Sequence, residues 1–276
     1  MGGVDIIHCI GDSHASFFSG FDAIQPGYPE RSSNKYPFFR GYRLGSVLAY
    51  SLTNLNTKEK GRERLLDIIG QLPKGATILM CFGEIDCRCH LLKQADLQNK
   101  SLPEIIDLCV HRYFQVIDEL IGLGFRLMVW NVIPSANSNN IEYPTYGSME
   151  ERNRCSMMFN AVVKQECEKR GLVFLSIFDK LIKGNLQSRT VYFFDGLHLG
   201  QMAMPMVLKK FYQIEPDLIK KHYSLYEIRK QIVIARGRWL YMSVKQYLSI
   251  RQNFRFFLKW VADSFQRIKK ENHSNI

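Results

Sequence analysis

Three side chains far apart in the 276-residue chain have the makings of nucleophilic catalysis: Ser13, Asp195 and His198. A serine hydroxyl is a poor nucleophile until a base takes its proton, and the base needs an acid to hold its ring in one tautomer. The spacing Asp195-Gly-Leu-His198 lets the carboxylate reach the near ring nitrogen and leaves the far nitrogen for Ser13. Gly11 permits a tight turn ahead of Ser13, and small neighbours leave backbone amides free for an oxyanion. Gly11-Asp12-Ser13 alone reads equally well as a loop and helix N-cap, and Asp195 with His198 as a surface turn. Their joint occurrence, each beside an apolar run, points to a catalytic site.

The elements that must position these groups alternate in type. Val4–Ile10, Ala76–Phe82, Phe125–Ile133 and Leu172–Ile177 read as strands. Residues 46–56, 59–71, 103–122, 148–170 and 201–213 read as helices; Ser101 opens the third and Gly171 stops the fourth. The run Val191–Phe194 leads directly into Asp195. Strands alternating with long helices predict βαβ units and a parallel sheet covered on both faces, an α/β fold of three layers, α/β/α. Ligands in such folds sit beyond the carboxyl ends of the strands. Those ends carry Ser13, then Glu84, Asp86 and Arg88, then Asn131 and Asn137, then Asp195 and His198.

Other chemistries lack their motifs. Cys87-Arg-Cys89-His90 has no second distant Cys or His pair at ligand spacing, so no metal is expected. Neither glycine-rich phosphate motif occurs, and no cofactor is expected. His8, His90 and His111 have no partners at ligand spacing and read as structural or surface residues. The α/β-hydrolase elbow Gly-x-Ser-x-Gly is approached by Gly11-Asp-Ser13-His-Ala15, but that fold needs several strands before its nucleophile, and Gly11 has only ten residues before it.

Gly11-Asp12-Ser13, a Gly-x-x-Asp block at Gly83–Asp86 and Asp195-x-x-His198, in this order, resemble the SGNH/GDSL hydrolase superfamily over residues 4 to about 213. The resemblance implies a three-layer fold with a parallel, flavodoxin-like sheet and an esterase, lipase, deacetylase or O-acetyltransferase activity. It implies Ser13 as nucleophile and oxyanion donor, His198 as base, Asp195 as its orienting acid and the Gly45 amide, or failing that Gly41, as a second donor. The family's third block reads Gly-x-Asn-Asp, and its asparagine completes the oxyanion hole. Ile85 occupies that place here and donates nothing. Losing such a donor costs on the order of 100- to 1000-fold in rate. Arg88 is the first candidate substitute and Asn131 the second; Glu84, Asp86 and Arg88 could instead form a patch that recognises substrate.

Composition divides the chain. With 46% hydrophobic and 23% charged residues it has material for a sizeable core, which excludes general disorder. Of the net +11, Lys209–Ile276 carries +10, from 15 basic and 5 acidic side chains. Residues 1–213 are therefore expected to form the SGNH-like domain and residues 214–276 a basic helical extension. Apolar residues at 254, 257, 258, 261 and 265 with Lys and Arg between them suit an amphipathic helix. It could pack on the body or on a second copy, or lie on an anionic membrane surface. Nucleic acid is not expected, for want of a recognised motif.

No signal-like start, no membrane-length apolar run and an odd number of cysteines (seven) suggest a cytoplasmic chain, with the inner membrane face as a place for the extension. The partners that follow are a carbohydrate or lipid-linked glycan and an acyl donor, in surface-polysaccharide biosynthesis. A non-catalytic glycan-binding module with a lost oxyanion hole is the alternative.

Overall fold

Five short runs pair into one sheet, of which four are apolar: β1 (Ile7–Gly11), β2 (Phe39–Arg43), β3 (Thr77–Cys81), β4 (Arg126–Trp130) and β5 (Val173–Leu175). The order is β2-β1-β3-β4-β5 and every pairing is parallel. The computed structural model describes residues 6–135, 143–220, 222, 223, 230 and 233. Two compact units divide the chain, 1–228 and 229–276. The second, with the amphipathic stretch 251–270, lies outside the described residues apart from Lys230 and Val233. Asn137 also lies outside them.

The helices are α1 (Gly61–Gln71), α2 (Leu91–Gln98), α3 (Leu102–Gly122), α4 (Met149–Lys169), α5 (Phe178–Leu181), α6 (Met204–Ile214) and α7 (Pro216–Lys220). One face of the sheet, through Ile10, Ile78, Met80 and Val129, shares a buried cluster with α1, α3 and α4. α3 buries Ile106, Val110, Tyr113, Phe114 and Ile117, an i, i+3, i+4 stripe. The other face is aromatic. Phe18 packs against Phe39 and Trp130 at 5.1 and 5.3 Å between ring centres, and Phe39 meets Phe211 of α6 at 5.4 Å. Sequence and structure agree on both long helices. Ser101 and Ser148 each cap their helix through a reciprocal bond with Glu104 and Glu151.

Three segments differ from expectation. Residues 46–56 form turns and bends, with no helix. Their amides are claimed from outside: Asp86 accepts from Ala49 and Tyr50 at 2.8 and 3.1 Å, and Arg112 donates to the Tyr50 carbonyl at 2.9 Å. β2 is an edge strand hidden in the sequence by Arg40, Gly41 and Arg43, although Phe39 and Gly41 alternate inward around exposed Arg40. The run before Asp195 is no sheet strand. Thr190–Tyr192 is a 3-10 turn, and Phe193 makes a single antiparallel bridge to Leu199.

The first strand ends in a confined place. A Cβ on Gly11 would overlap the Cys81 carbonyl oxygen and lie 2.7 Å from the Cys81 Cβ. Gly11→Ala should therefore push β1 from β3 and cost about 1–3 kcal/mol, read as a lower urea midpoint at unchanged slope. Gly70, near the end of α1, has nothing within 4 Å of such an atom. Gly70→Ala should raise stability by roughly 0.5–1 kcal/mol in the same measurement.

Candidate active site

The strand order reverses between β1 and β3, which opens the crevice that α/β folds use for ligands. Register sets what lines it. Gly11 pairs with Arg43 on one side and Cys81 on the other. Two residues further along each chain come Ser13, Gly45 and Gly83. Gly45 and Gly83 have φ of 104° and 109°, conformations that side chains resist. Space also excludes a side chain at Gly83, where a Cβ would lie 2.8 Å from Phe159.

Asp12 ends the strand and caps the 3-10 turn Ser13–Ser19, its Oδ1 accepting from the His14 amide at 2.8 Å. From Ile7 to Gly20 every residue is buried except Ser13. The turn thus leaves one hydroxyl within reach of the crevice.

The loop carrying Asp195 is a local fold of its own. Its Oδ1 accepts from the amides of Leu197 and His198 at 2.9 and 2.7 Å, an Asx-type turn, with Gly196 at φ 84° between them. The other oxygen meets His198 Nδ1 at 2.6 Å. The far ring nitrogen, Nε2, lies 2.8 Å from Ser13 Oγ. The structure so brings together Ser13, His198 and Asp195, separated by up to 185 positions in the chain.

His198 is packed among rings: His14 at 4.8 Å, Tyr143 edge-on at 5.6 Å and Phe194 at 5.9 Å between centres. Burial first, and then the charge of His14, lower its pKa to about 4, so the ring is neutral and can accept a proton at pH 7. Burial pushes the Asp195 carboxyl up, but the His198 and Leu197 contacts outweigh it and hold the carboxyl below its ordinary value.

Among the described polar groups expected around the crevice, Asn131, Asp86 and Arg88 turn inward. Asn131 is fully engaged: its oxygen accepts from the Ile177 amide and its nitrogen donates to the Val132 carbonyl, both at 2.8 Å. Asp86 holds the 45–50 loop through Ala49 and Tyr50 and is buried. Arg88 is buried as well; it donates to Glu84 at 2.8 Å and to the Pro144 carbonyl. Ile85 is half-buried beside them.

Sequence reasoning missed His14. It is buried, and its Nε2 lies 3.1 Å from Glu84 Oε2, in line with the Glu84–Arg88 pair. Burial opposes both charges, but each partner outweighs it for the other. Glu84 is held down to about 2, and His14 is raised above its ordinary value. A void of about 10 Å³ beside Asp12, His14 and Glu84 is at the lower limit for one water. The signal in the sequence was a histidine directly after the serine, facing an acid one residue past Gly83. Among the described residues no group of three or more potential ligands could hold a metal ion.

Asp12 is the acid that burial keeps protonated. Its Oδ2 is buried with no hydrogen-bond partner among the described residues, and burial, only partly offset by His14, raises its pKa from 3.8 to about 7. Between those values the unfolded chain gives up this proton and the folded chain keeps it, so stability falls as pH rises through the window. Asp12→Asn keeps the cap acceptor and has no proton to lose. Its stability relative to the wild type should improve steadily from pH 4 to 7 and level off above, in urea unfolding at stepped pH. A constant difference would show that Asp12 ionises normally.

No family model matches the chain, and no curated protein matches it. Among solved structures it is similar to an acetyl-xylooligosaccharide esterase from Geobacillus stearothermophilus (17% identity, TM-score 0.48, 81% of this chain and 97% of that one). It is also similar to a GDSL-like lipase from Bacteroides thetaiotaomicron (13%, 0.45, 79% and 89%) and to phospholipase A1 from Streptomyces albidoflavus (13%, 0.42, 75% and 99%). The chain thus joins a parallel sheet flanked by helices to a serine, a histidine and an aspartate that its first strand end and a distant loop bring together.

Proposed function

We propose that this protein is a serine-dependent acyl-ester enzyme acting on a carbohydrate, either removing or transferring the acyl group. The observation that supports this most is the line of contacts from Ser13 Oγ to His198 Nε2 at 2.8 Å and from His198 Nδ1 to Asp195 at 2.6 Å. Ser13 Oγ attacks the ester carbonyl while His198 takes its proton. The carbonyl π electrons move to oxygen, and the oxyanion meets the amides of Ser13 and Gly45, which no described hydrogen bond engages. Collapse expels the alcohol, which takes the proton back from His198. Water or a sugar hydroxyl then removes the acyl group from Ser13 by the same steps in reverse.

A carbohydrate is favoured by the basic extension rather than by the strand ends, since Asp86, Arg88 and Asn131 are engaged inside the protein. The basic extension, with 13 Lys and Arg against 5 Asp and Glu over residues 214–276, suits work on lipid-linked glycans at an anionic membrane face, as in surface-polysaccharide synthesis. The alternative, a glycan-binding module without turnover, draws on Ile85 and on the engaged amide of Asn131.

A serine-directed fluorophosphonate and p-nitrophenyl acetate separate the two. The wild type should be labelled and turn over the ester, while Ser13→Ala and His198→Ala should each lose at least 1000-fold. Asp195→Asn should retain a small residual rate, since the acid orients the base and takes no proton itself. Silence of the wild type in both assays would favour the binding module.

The extension has its own test in co-sedimentation of the full chain with vesicles. Binding to phosphatidylserine-containing vesicles should weaken steeply with added salt, and neutral vesicles should bind little. Absence of binding to either would remove the membrane face as a partner.

A further inference from the structure

The acyl-transfer scheme uses Ser13, His198 and Asp195 and leaves a buried charged row beside them without a task. Arg88 touches Glu84 at 2.8 Å, Glu84 touches His14 at 3.1 Å, and the His14 ring faces the His198 ring at 4.8 Å. Charged groups this deep are rarely kept for stability alone, because desolvation offsets most of their attraction. One member of the row, Glu84, directly precedes Ile85, which supplies no oxyanion donor.

We propose that His14, kept cationic by Glu84 with Arg88 behind it, is a positioning residue that acts on the reaction through His198. The inference rests on the acyl-transfer reading above. A fixed positive charge against one face of His198 disfavours a second positive charge on that ring. The ring therefore stays proton-free, ready to accept from Ser13, to lower pH than an ordinary histidine. The same repulsion speeds the return of the proton to the departing alcohol. When the oxyanion forms, the cation of His14 lies on the same turn as Ser13 and offsets part of the new negative charge.

Among the described residues, few ionisable groups face this ring pair. Asp12 comes from the same turn, Cys81 from the end of β3, Glu84 and Arg88 from the segment beyond it, and Asp195 and Tyr143 from the other side. Glu84 supports the charge on His14, Asp12 does so only once it ionises near neutrality, and Arg88 opposes it. Asp195 favours a proton on His198, and burial with His14 outweighs it.

Two measurements on the full-length protein test the assignment. The first is the rate of fluorophosphonate labelling of Ser13 against pH. The wild type should keep labelling well below pH 6, and His14→Gln should move the acidic limb upward by about one pH unit or more. Glu84→Gln should move it the same way, since His14 then loses its counter-charge. Asp12→Asn should leave the limb where it is. An unmoved limb in folded His14→Gln, or a limb displaced equally by Asp12→Asn, would overturn the proposal.

The second measurement is nitrogen NMR of the wild-type histidine rings, which needs no variant to fold and no turnover. At pH 7 His14 should carry protons on both ring nitrogens and His198 on one. A neutral His14 would overturn the proposal. Failure of Ser13 to label at any pH, with the ring states as expected, would instead sink the acyl-transfer reading on which the inference rests.

Discussion

The end of β1 has no lateral room, and the site follows from that. Gly11 lies so close to the Cys81 carbonyl that no side chain fits, and the Asp12 amide then binds the same carbonyl at 3.3 Å. β1 and β3 are thereby clamped together at the point where the strand order reverses. The chain leaving β1 cannot drift sideways. It turns at once under the Asp12 cap, and one hydroxyl is left out of an otherwise buried stretch. The parallel register carries the effect to the neighbouring strands, where Gly45 and Gly83 fall level with Ser13. Clamp and register act through the backbone, and the cap acts through the Asp12 side chain.

Electrostatics behind that turn is arranged by burial. Glu84 and His14 each resist ionising in a dry interior, yet each makes ionisation of the other worthwhile. Asp12 has no such partner for its second oxygen and retains its proton to near neutrality. His198 meets its acid on one nitrogen and a cation across its face, and the cation together with burial prevails. Two buried acids close to one serine, Asp12 and Glu84, thus reach opposite protonation states below neutral pH. Differences in their contacts account for it.

The sequence disclosed what depends on local pattern. The long helices have serine caps and apolar stripes, the central strands are unbroken apolar runs, and the triad shows as three residue types in order. What it concealed depends on groups arriving from elsewhere. Residues 46–56 carry buried Val47, Ala49 and Leu52, but Asp86 and Arg112 bind the backbone there. β2 is an edge strand rich in arginine, so its alternation is faint. Asn131 and Asp86 sit at strand ends, as a ligand-binding residue would, and turn inward because buried amides of distant loops need acceptors. His14 escaped notice because its partner lies 70 positions away, and only the β1–β3 pairing makes them neighbours.

The Asx turn at Asp195 makes acid and base one prefabricated piece. A single carboxylate fixes the backbone of its own loop and the ring of its own histidine. The piece is closed by one bridge, Phe193 to Leu199, and fastened to the first loop by Gln201, whose amide reaches Asp22 at 2.6 Å. Nothing in the relation of acid to base therefore depends on the length or path of the chain between α5 and Thr190. A change in that connection leaves the contacts within the pair as they are, because none of its residues takes part in them.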